Sequence, residues 1–198
     1  MVDNSRNALI ALGANLPSPA GDPPATLRAA LAMIGGEGIT VAAVSRLYAT
    51  PAWPPGSGPD FVNAAAVLRT ALAPRALLER LHGVERALGR DRRARWAPRS
   101  IDLDLLAVGD AVLPDPDTWQ RWAGLDAGAA GSIAPDELIL PHPRLAERAF
   151  VLVPLAEVAP DWRHPVTGLS VAAMRDALDP ADREAVRPIG VANGAESL

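Results

Sequence analysis

The sequence contains neither cysteine nor lysine, and each absence removes a class of chemistry. Without cysteine there is no thiol nucleophile, no disulfide and no thiolate metal site. All 19 basic residues are arginine, which excludes Schiff-base enzymes, phosphate-binding loops of the G-x-x-x-x-G-K-[ST] type and protein kinases, because each needs a lysine. The chain also lacks an apolar run of roughly 18 residues, so no membrane span is predicted.

The remaining composition is typical of a globular protein. The chain has 198 residues, of which 49% are hydrophobic and 21% charged, and its net charge is −4. The negative charge disfavours a protein that coats nucleic acid, unless basic residues are concentrated locally. The N-terminus is a poor signal peptide, because Asp3, Asn4 and Arg6 precede a short apolar stretch. We therefore expect a cytoplasmic protein that forms one domain over residues 1–198, with tails at about 1–6 and 188–198 and an insertion at about 111–135.

Hydrophobic periodicity predicts short strands that alternate with helices. The predicted strands cover residues 8–13, 39–49, 61–70, 100–108 and 150–154. The predicted helices cover residues 25–34, 74–88 and 171–178. Within the insertion we expect a short helix that packs Trp119 and Trp122 on the main body. This order favours an α+β domain with a mostly antiparallel sheet.

The most specific local pattern is the pair Asp102 and Asp104 in the segment SIDLDL. Alternation along a strand places both carboxylates on one face, with their Cα atoms about 6.5–7 Å apart. Two adjacent carboxylates repel each other unless a cation lies between them, and Mg²⁺ prefers oxygen ligands. A pair of such ions is one interpretation. A solvated edge strand with two acids and no ligand is the alternative.

Six arginines precede this pair, at positions 86, 90, 92, 93, 95 and 99. Gly89 ends the predicted helix and Pro98 prevents its continuation, so most of the cluster is expected on a loop. Guanidinium groups bind phosphate oxygens in bidentate fashion, which favours a phosphate site. Two alternatives stay open: a solvated basic turn, and an RNA contact in which Trp96 stacks on a base.

Two other segments carry candidate binding residues. Phe61 and Asn63 share a strand face, where an aromatic ring and an amide suit a flat polar heterocycle; alternatively Phe61 is core and Asn63 caps a turn. His142 lies between two prolines and near Arg144 and Arg148. This setting favours a phosphate contact over a metal ligand, because no second histidine has ligand spacing.

Five segments together resemble the 6-hydroxymethyl-7,8-dihydropterin pyrophosphokinase family. They are ALGANL (11–16), SRLYATP (45–51), PDFVNAA (59–65), GRDRRARWAPRSIDLDLL (89–106) and LPHPRLAERAFVLVPLAEVAP (140–160). The resemblance implies a ferredoxin-like three-layer sandwich with helices on the sheet faces. It also implies a magnesium-dependent enzyme of folate biosynthesis that transfers a diphosphate from ATP to a pterin alcohol and releases AMP.

The resemblance further implies a role for individual residues. Asp102 and Asp104 would bind two Mg²⁺ ions. The implied catalytic residues are Arg90, Arg92, Arg99, Asp102 and Asp104. The implied pterin-binding residues are Thr50, Pro51, Trp53, Phe61, Asn63, Trp96 and Phe150. The implied ATP-binding residues are Glu85, Arg92, His142 and Arg148.

We expect the protein to bind small-molecule substrates and to bind neither nucleic acid nor a membrane. We also expect it to be a monomer. The sequence departs from the family pattern at three positions: Ala14 replaces a serine in the first motif, Ala97 replaces a glycine in the arginine-rich loop, and Trp53 stands where a smaller residue is usual. Two other functions remain open at this point. One is an RNA-binding α+β module that uses residues 86–99, and the other is a regulatory domain that binds ATP without turnover.

Overall fold

A computed structural model describes residues 5–36, 38–52, 58–90, 99–125 and 135–189. The strands are β1 (Arg6–Ala14), β2 (Ile39–Val44), β3 (Tyr48–Thr50), β4 (Phe61–Thr70), β5 (Asp102–Val108) and β6 (Arg187–Pro188). The helices are α1 (Pro23–Ile34), α2 (Pro74–Ala87), α3 (Pro116–Ala123), α4 (Ala149–Val158), α5 (Val171–Asp176) and α6 (Pro180–Glu184), and a 3-10 turn covers Leu145–Glu147.

Local sequence signals explain where the first two helices begin and end. The side chain of Asp22 caps α1 by accepting the N–H of Ala25, and this satisfies one of the free donors of the first turn. Helix α2 begins at Pro74, whose missing N–H costs nothing at that position. Gly89, with φ of 79°, follows the end of α2, where glycine adopts the left-handed conformation without strain.

The strands form one antiparallel sheet. Its order is β5-β1-β4-β3-β6, and β2 pairs with β4 in line with β3. The chain order β1-α1-β2/β3-β4-α2-β5, with β1 and β4 in the centre, is the ferredoxin-like arrangement. The predicted α+β class and its antiparallel sheet are therefore confirmed.

The sheet is the middle one of three layers. Alternation along β1 sends Ile10 and Leu12 into a core beneath α1 and α2, and sends Leu9 and Ala11 into a second core beneath α4 and α5. A fully buried leucine or isoleucine contributes about 1.5–3 kcal/mol. Both faces are thus apolar along most of their length, and this leaves the C-terminal end of β1 as the place where polar side chains gather.

The predicted strand over residues 39–49 is wrong in one respect, because the structure divides it into β2 and β3. At Ser45 the backbone N–H still donates to the carbonyl of Ala65 at 2.9 Å. The N–H of Ala65, however, is accepted by the Ser45 hydroxyl, also at 2.9 Å. A side-chain oxygen thus replaces a backbone carbonyl in the ladder, and the regular strand stops there.

The predicted strand over residues 150–154 is also wrong, since these residues lie in α4. The segment is almost entirely apolar, and a short apolar run fits a buried strand and a buried helix equally well. In the structure Val151, Leu152 and Leu155 are buried with helical spacing against the sheet. Helix α4 covers β4, with which it makes its main contact.

Parts of the insertion and of the two predicted tails lie among the described residues. The short helix expected in the insertion is α3, in which Trp119 is buried and Trp122 is half-buried. Arg6 begins β1, and Pro188 in β6 pairs with Tyr48 of β3. Residues 1–4, 126–134 and 190–198 lie outside the described residues. Within the described ranges, no helix has the length and apolar character that crossing a membrane requires.

Candidate active site

The strand register places the predicted pterin and metal residues on one sheet face. On β1, Gly13 pairs with Asn63 of β4 on one side and with Asp102 of β5 on the other. Two residues earlier, Ala11 pairs with Asp104. Neighbouring strands lie about 4.8 Å apart, so Asn63 and Asp102 stand about 10 Å from each other across β1. The prediction that both aspartates share a face is confirmed, and the face is the one beneath α4.

Two arginines hold the carboxylate of Asp102. Arg90, which directly follows the turn at the end of α2, places Nη1 2.6 Å from Oδ1. Arg99 pairs with the other carboxylate oxygen, Oδ2. The side chain of Asp102 is 24% exposed, so water and ligands can reach it. The structure thus brings Arg90, Arg99 and Asp102, three of the predicted catalytic residues, into contact.

Glu85, which is predicted to bind ATP, is buried and ion-paired within the protein. Its side chain is 1% exposed, it pairs with Arg90, and its Oε1 accepts the N–H of Leu103 at 2.9 Å. A buried carboxylate is stable only with such partners. Glu85 therefore joins the end of α2 to β5 and fixes Arg90 beside Asp102. A contact between Glu85 and ATP stays a prediction.

Asp104 pairs with Arg148, at 3.0 Å between Oδ2 and Nη1. Arg148 directly precedes α4, and its guanidinium also lies over the ring of Phe150, 5.8 Å from the ring centroid. Phe150 is 41% exposed, which is unusual for phenylalanine and leaves a ring face open. The start of α4 therefore presents an aromatic surface and a guanidinium group at the same edge.

His142 is held as a neutral imidazole. Its Nδ1 accepts the N–H of Arg144 at 3.2 Å, so the ring hydrogen lies on Nε2. Burial, followed by the charges of Arg148 and Arg144, lowers the pKa of His142 to about 3. The backbone N–H of His142 donates to the carbonyl of Leu106 at 2.8 Å, beside the irregularity of β5. His142 thus presents an uncharged N–H donor near the arginines.

The side of the face that is predicted to bind the pterin is neutral and hydrogen-bonded. Asn63 Nδ2 donates to the hydroxyl of Thr50 at 2.7 Å, and both side chains are buried. A Cβ atom at Gly13 would lie 2.8 Å from Asn63 Oδ1, so the amide oxygen extends over β1. Phe61 lies on the same face, half-buried, opposite Thr50. Pro51 follows β3 and is exposed.

β3 is also tied to α4, which carries Phe150. The hydroxyl of Tyr48 donates to Glu157 Oε1 at 2.6 Å, and the backbone N–H of Arg46 donates to Oε2 at 2.9 Å. Burial raises the pKa of the Glu157 carboxyl, but the hydrogen bonds from Arg46 and Tyr48 outweigh this and lower it. The pterin-side strand and the aromatic end of α4 are therefore held in a fixed relation.

Asn15 is a site residue that the sequence reasoning missed. Its Oδ1 accepts the N–H of Arg99 at 2.8 Å, and its Nδ2 donates to the carbonyl of Pro59 at 3.1 Å. The backbone N–H groups of Asn15 and Leu16 both donate to the carbonyl of Arg99. One buried amide thus joins the chain before β4 to the chain before β5. Its position in the ALGANL segment was the available signal.

The aspartate pair fits magnesium. Among the described residues there is no group of three or more histidine, aspartate or glutamate side chains that could hold a metal ion. Mg²⁺ does not need such a group, because one or two carboxylates together with substrate phosphates and water satisfy it. Asp102 and Asp104 are partly exposed on one face and provide that number of ligands. Three predicted site residues, Trp53, Arg92 and Trp96, lie outside the described residues.

A family model and several curated proteins match this chain. The model of the 7,8-dihydro-6-hydroxymethylpterin-pyrophosphokinase family matches residues 9–160. The 2-amino-4-hydroxy-6-hydroxymethyldihydropteridine pyrophosphokinase of Methylorubrum extorquens is 39% identical over 180 residues, which cover 90% of this chain and 98% of the relative. The protein of the same name in Bacillus subtilis is 37% identical over 152 residues, or 76% of this chain and 77% of the relative.

Solved structures share the fold. Wild-type HPPK-DHPS of Plasmodium falciparum matches 87% of this chain with a TM-score of 0.60 and 15% identity. An HPPK-DHPS in complex with substrates matches 87% of it with a TM-score of 0.58 and 13% identity. This chain covers 41% and 43% of those longer chains. At this identity the match supports the architecture described above.

Proposed function

Because this chain belongs to the 7,8-dihydro-6-hydroxymethylpterin-pyrophosphokinase family, we propose that the sheet face carrying Asp102 and Asp104 is where it transfers a diphosphate from ATP to a dihydropterin. Membership makes the chain a pyrophosphokinase of folate biosynthesis, and it does not support the RNA-binding alternative. The observation that carries the proposal is the register in which Gly13 lies between Asn63 and Asp102.

The β4 side of this face suits the pterin. Asn63 is fixed by its bond to Thr50, and its amide oxygen points over Gly13 toward the middle of the face. A fixed amide offers a donor and an acceptor to the polar edge of a heterocycle. Phe61 on the same face and Phe150 at the start of α4 offer ring surfaces for stacking.

The β5 side suits a polyphosphate that arrives with a divalent cation. Among the described residues, three arginines there are already matched by three carboxylates, in the pairs Arg90 with Glu85 and Asp102, Arg99 with Asp102, and Arg148 with Asp104. This cluster is electrically balanced before any ligand binds. A highly charged triphosphate therefore needs additional positive charge, and Mg²⁺ supplies it.

Asp102 and Asp104 would hold the magnesium, for which two ions are proposed. When bound, Mg²⁺ neutralises phosphate oxygens and orients the chain of phosphates. With the metal on these carboxylates, the guanidinium groups of Arg99 and Arg148 would be free of their present partners and would take phosphate oxygens in bidentate fashion. His142, kept neutral, donates from Nε2 to another phosphate oxygen.

The reaction is an in-line displacement at the β-phosphorus of ATP. The hydroxymethyl oxygen of the pterin forms a bond to this phosphorus while the bond to the α-phosphate oxygen breaks, and AMP leaves. Positioning and charge neutralisation supply most of the acceleration in phosphoryl transfer. No described side chain is assigned as a general base, and the hydroxyl proton passes to solvent. The monomeric state and the cytoplasmic location stay predictions.

The direct test is an assay of AMP formation by the purified chain with ATP and 6-hydroxymethyl-7,8-dihydropterin. We expect AMP and pterin diphosphate in equal amounts with MgCl₂, no product after addition of EDTA, and recovery when excess Mg²⁺ is restored. ATP without pterin is the control, because hydrolysis alone would release ADP or AMP without the pterin product. AMP formation that persists in EDTA would contradict the magnesium assignment, and binding of ATP without AMP would favour a regulatory domain.

A further inference from the structure

The helix α3, in the segment interpreted as an insertion, contacts the ATP side of the site through one side chain. Trp119 is 7% exposed, and its Nε1 donates to the carbonyl of Pro141 at 2.7 Å. Pro141 directly precedes His142, whose own N–H is bound by Leu106 of β5. A residue remote in sequence therefore fixes the backbone next to a predicted phosphate ligand.

Two prolines flank His142 and reduce the number of backbone donors in its segment. Pro141 and Pro143 have no N–H, so neither can donate to the edge of β5. Pro141 is buried, and a buried carbonyl without a donor is costly. The Trp119 indole supplies that donor. On the other side of His142, the Arg144 N–H is used to hold the imidazole Nδ1.

Helix α3 is itself firmly placed. Asp115 caps it by accepting both the N–H and the hydroxyl of Thr118, at 2.9 and 2.8 Å. Just before the cap, Leu113 and Leu140 exchange two backbone hydrogen bonds, at 2.8 and 3.1 Å. The start of the segment and the chain that leads to Pro141 are therefore joined, and the indole reaches Pro141 from a short, fixed distance.

Aromatic packing by His164 and Trp162 fixes the plane of the Trp119 indole. The ring of His164 meets Trp119 edge-on, with centroids 4.9 Å apart, and the ring of Trp162 also meets His164 edge-on, with centroids 5.9 Å apart. His164 is 2% exposed, and its Nδ1 accepts the N–H groups of Val166 and Thr167. Such packing leaves the indole little freedom, so its N–H stays directed at Pro141.

We propose that Trp119 is a positioning residue for ATP: by holding the Pro141 carbonyl it sets the backbone of His142 and hence the direction of the Nε2–H donor. This inference rests on the proposed function, because it assumes that His142 contacts the phosphates. It gives the inserted helix a role in substrate binding in place of a purely local elaboration of the surface. It also predicts that loss of the Trp119 N–H weakens the binding of ATP and leaves the binding of the pterin unchanged.

The test compares Trp119→Phe with Trp122→Phe, a change of the half-buried tryptophan in the same helix. Phenylalanine keeps most of the aromatic packing and removes the N–H. For Trp119→Phe we expect the Kd for MgATP from calorimetry and the KM for ATP to rise three- to tenfold. The KM for the pterin should stay within twofold, and Trp122→Phe should match the wild type in all three quantities.

A spectroscopic measurement separates positioning from a loss of stability. In ¹⁵N-detected spectra of the imidazole groups, the His142 signals should shift in Trp119→Phe and not in Trp122→Phe. A lower melting temperature with unchanged ATP affinity and unchanged His142 signals would overturn the proposal. If Trp119→Phe does not fold, Asp115→Ala loosens α3 from its cap and should raise the KM for ATP about twofold; no rise would overturn it. Absence of AMP formation by the wild type would instead refute the proposed function.

Discussion

The two halves of the functional face are built by opposite means. On the β3–β4 half, Thr50 and Asn63 are neutral, buried and bonded to each other at 2.7 Å. On the β5 half, Asp102 and Asp104 are charged, 24% and 35% exposed, and paired with arginines. A buried hydrogen bond fixes geometry, whereas partly exposed ion pairs are weak and exchange partners readily. The β3–β4 half therefore has a fixed geometry, whereas the ion pairs of the β5 half are free to rearrange.

Strand β1 lies between the two halves and separates the neutral side chains of β4 from the charged side chains of β5. Gly13 and Ala11 have the smallest side chains and occupy the rungs between the neutral and the charged residues. A larger side chain on either rung would reduce the space between the proposed pterin site and the proposed phosphate site. The two halves are thus different in chemistry and continuous in space, and each can be altered separately.

The largest expected effect comes from removing a carboxylate of the charged half. Asp102→Ala or Asp104→Ala should lower kcat by at least about 10³-fold, because it removes the groups that hold the metal and align the phosphates. Asp110→Ala is the matched control, since Asp110 is exposed just beyond the end of β5. Steady-state AMP formation measures the effect. Full activity in the double Asp102/Asp104 variant would mean that the metal binds elsewhere.

A second change should damage the neutral half alone. In Gly13→Ala the new Cβ would lie 2.8 Å from Asn63 Oδ1, which is too close and forces the amide to move. We expect the KM for the pterin to rise about tenfold, equivalent to about 1.4 kcal/mol, and the Kd for MgATP to stay within twofold. Gly35→Ala is the control, because its Cβ would come within only 3.7 Å of the carbonyl oxygen of Leu31, an ordinary van der Waals contact. An equal loss of affinity for both substrates would show that the halves are coupled.

The smallest effect concerns the neutral histidine within the charged half. The pKa of His142 is lowered to about 3 in the fold, and it is about 6.5 when the chain is unfolded. The unfolded state therefore binds the extra proton first, so the contribution of His142 to the free energy of unfolding is constant above about pH 6.5 and falls as the pH drops toward 3. The slope is at most about 1.4 kcal/mol per pH unit for one histidine.

Urea unfolding between pH 6 and pH 5 measures this slope, in a range where most carboxyl groups remain ionised. Burial lowers the pKa of His164 as well, so both histidines contribute with the same sign. His142→Asn retains an acceptor for the Arg144 N–H and should reduce the slope, as should His164→Asn. A slope that neither variant changes would mean that other groups titrate in this range.

Features that depend on residues close together in the chain were predicted correctly from the sequence. Alternation placed Asp102 and Asp104 on one face, and the register of β5 against β1 agrees. The termini of α2 followed from Pro74 and Gly89, whose backbone preferences act locally. In each case the deciding interaction lies within a few residues along the chain.

The wrong predictions involve partners that are distant in the chain. Residues 150–154 form a helix because one apolar face of β4 needs a cover, and α4 packs on that face. The interruption between β2 and β3 depended on the hydroxyl of Ser45 bonding to Ala65. Asn15 lies in the ALGANL segment, but its hydrogen bonds to Pro59 and Arg99 are visible only in the tertiary structure.

The sequence by itself determined the chemical inventory: acids two positions apart, arginines without lysine, aromatic and amide side chains, and the strand and helix periodicities. These depend on residue type and local spacing, and both are written in the chain. Only the tertiary structure decided that Gly13 separates Asn63 from Asp102, that Glu85 is buried beside Arg90, and that Trp119 reaches Pro141. Such contacts join residues far apart in sequence, and they form because packing both sheet faces and satisfying buried polar groups select one arrangement of the whole chain.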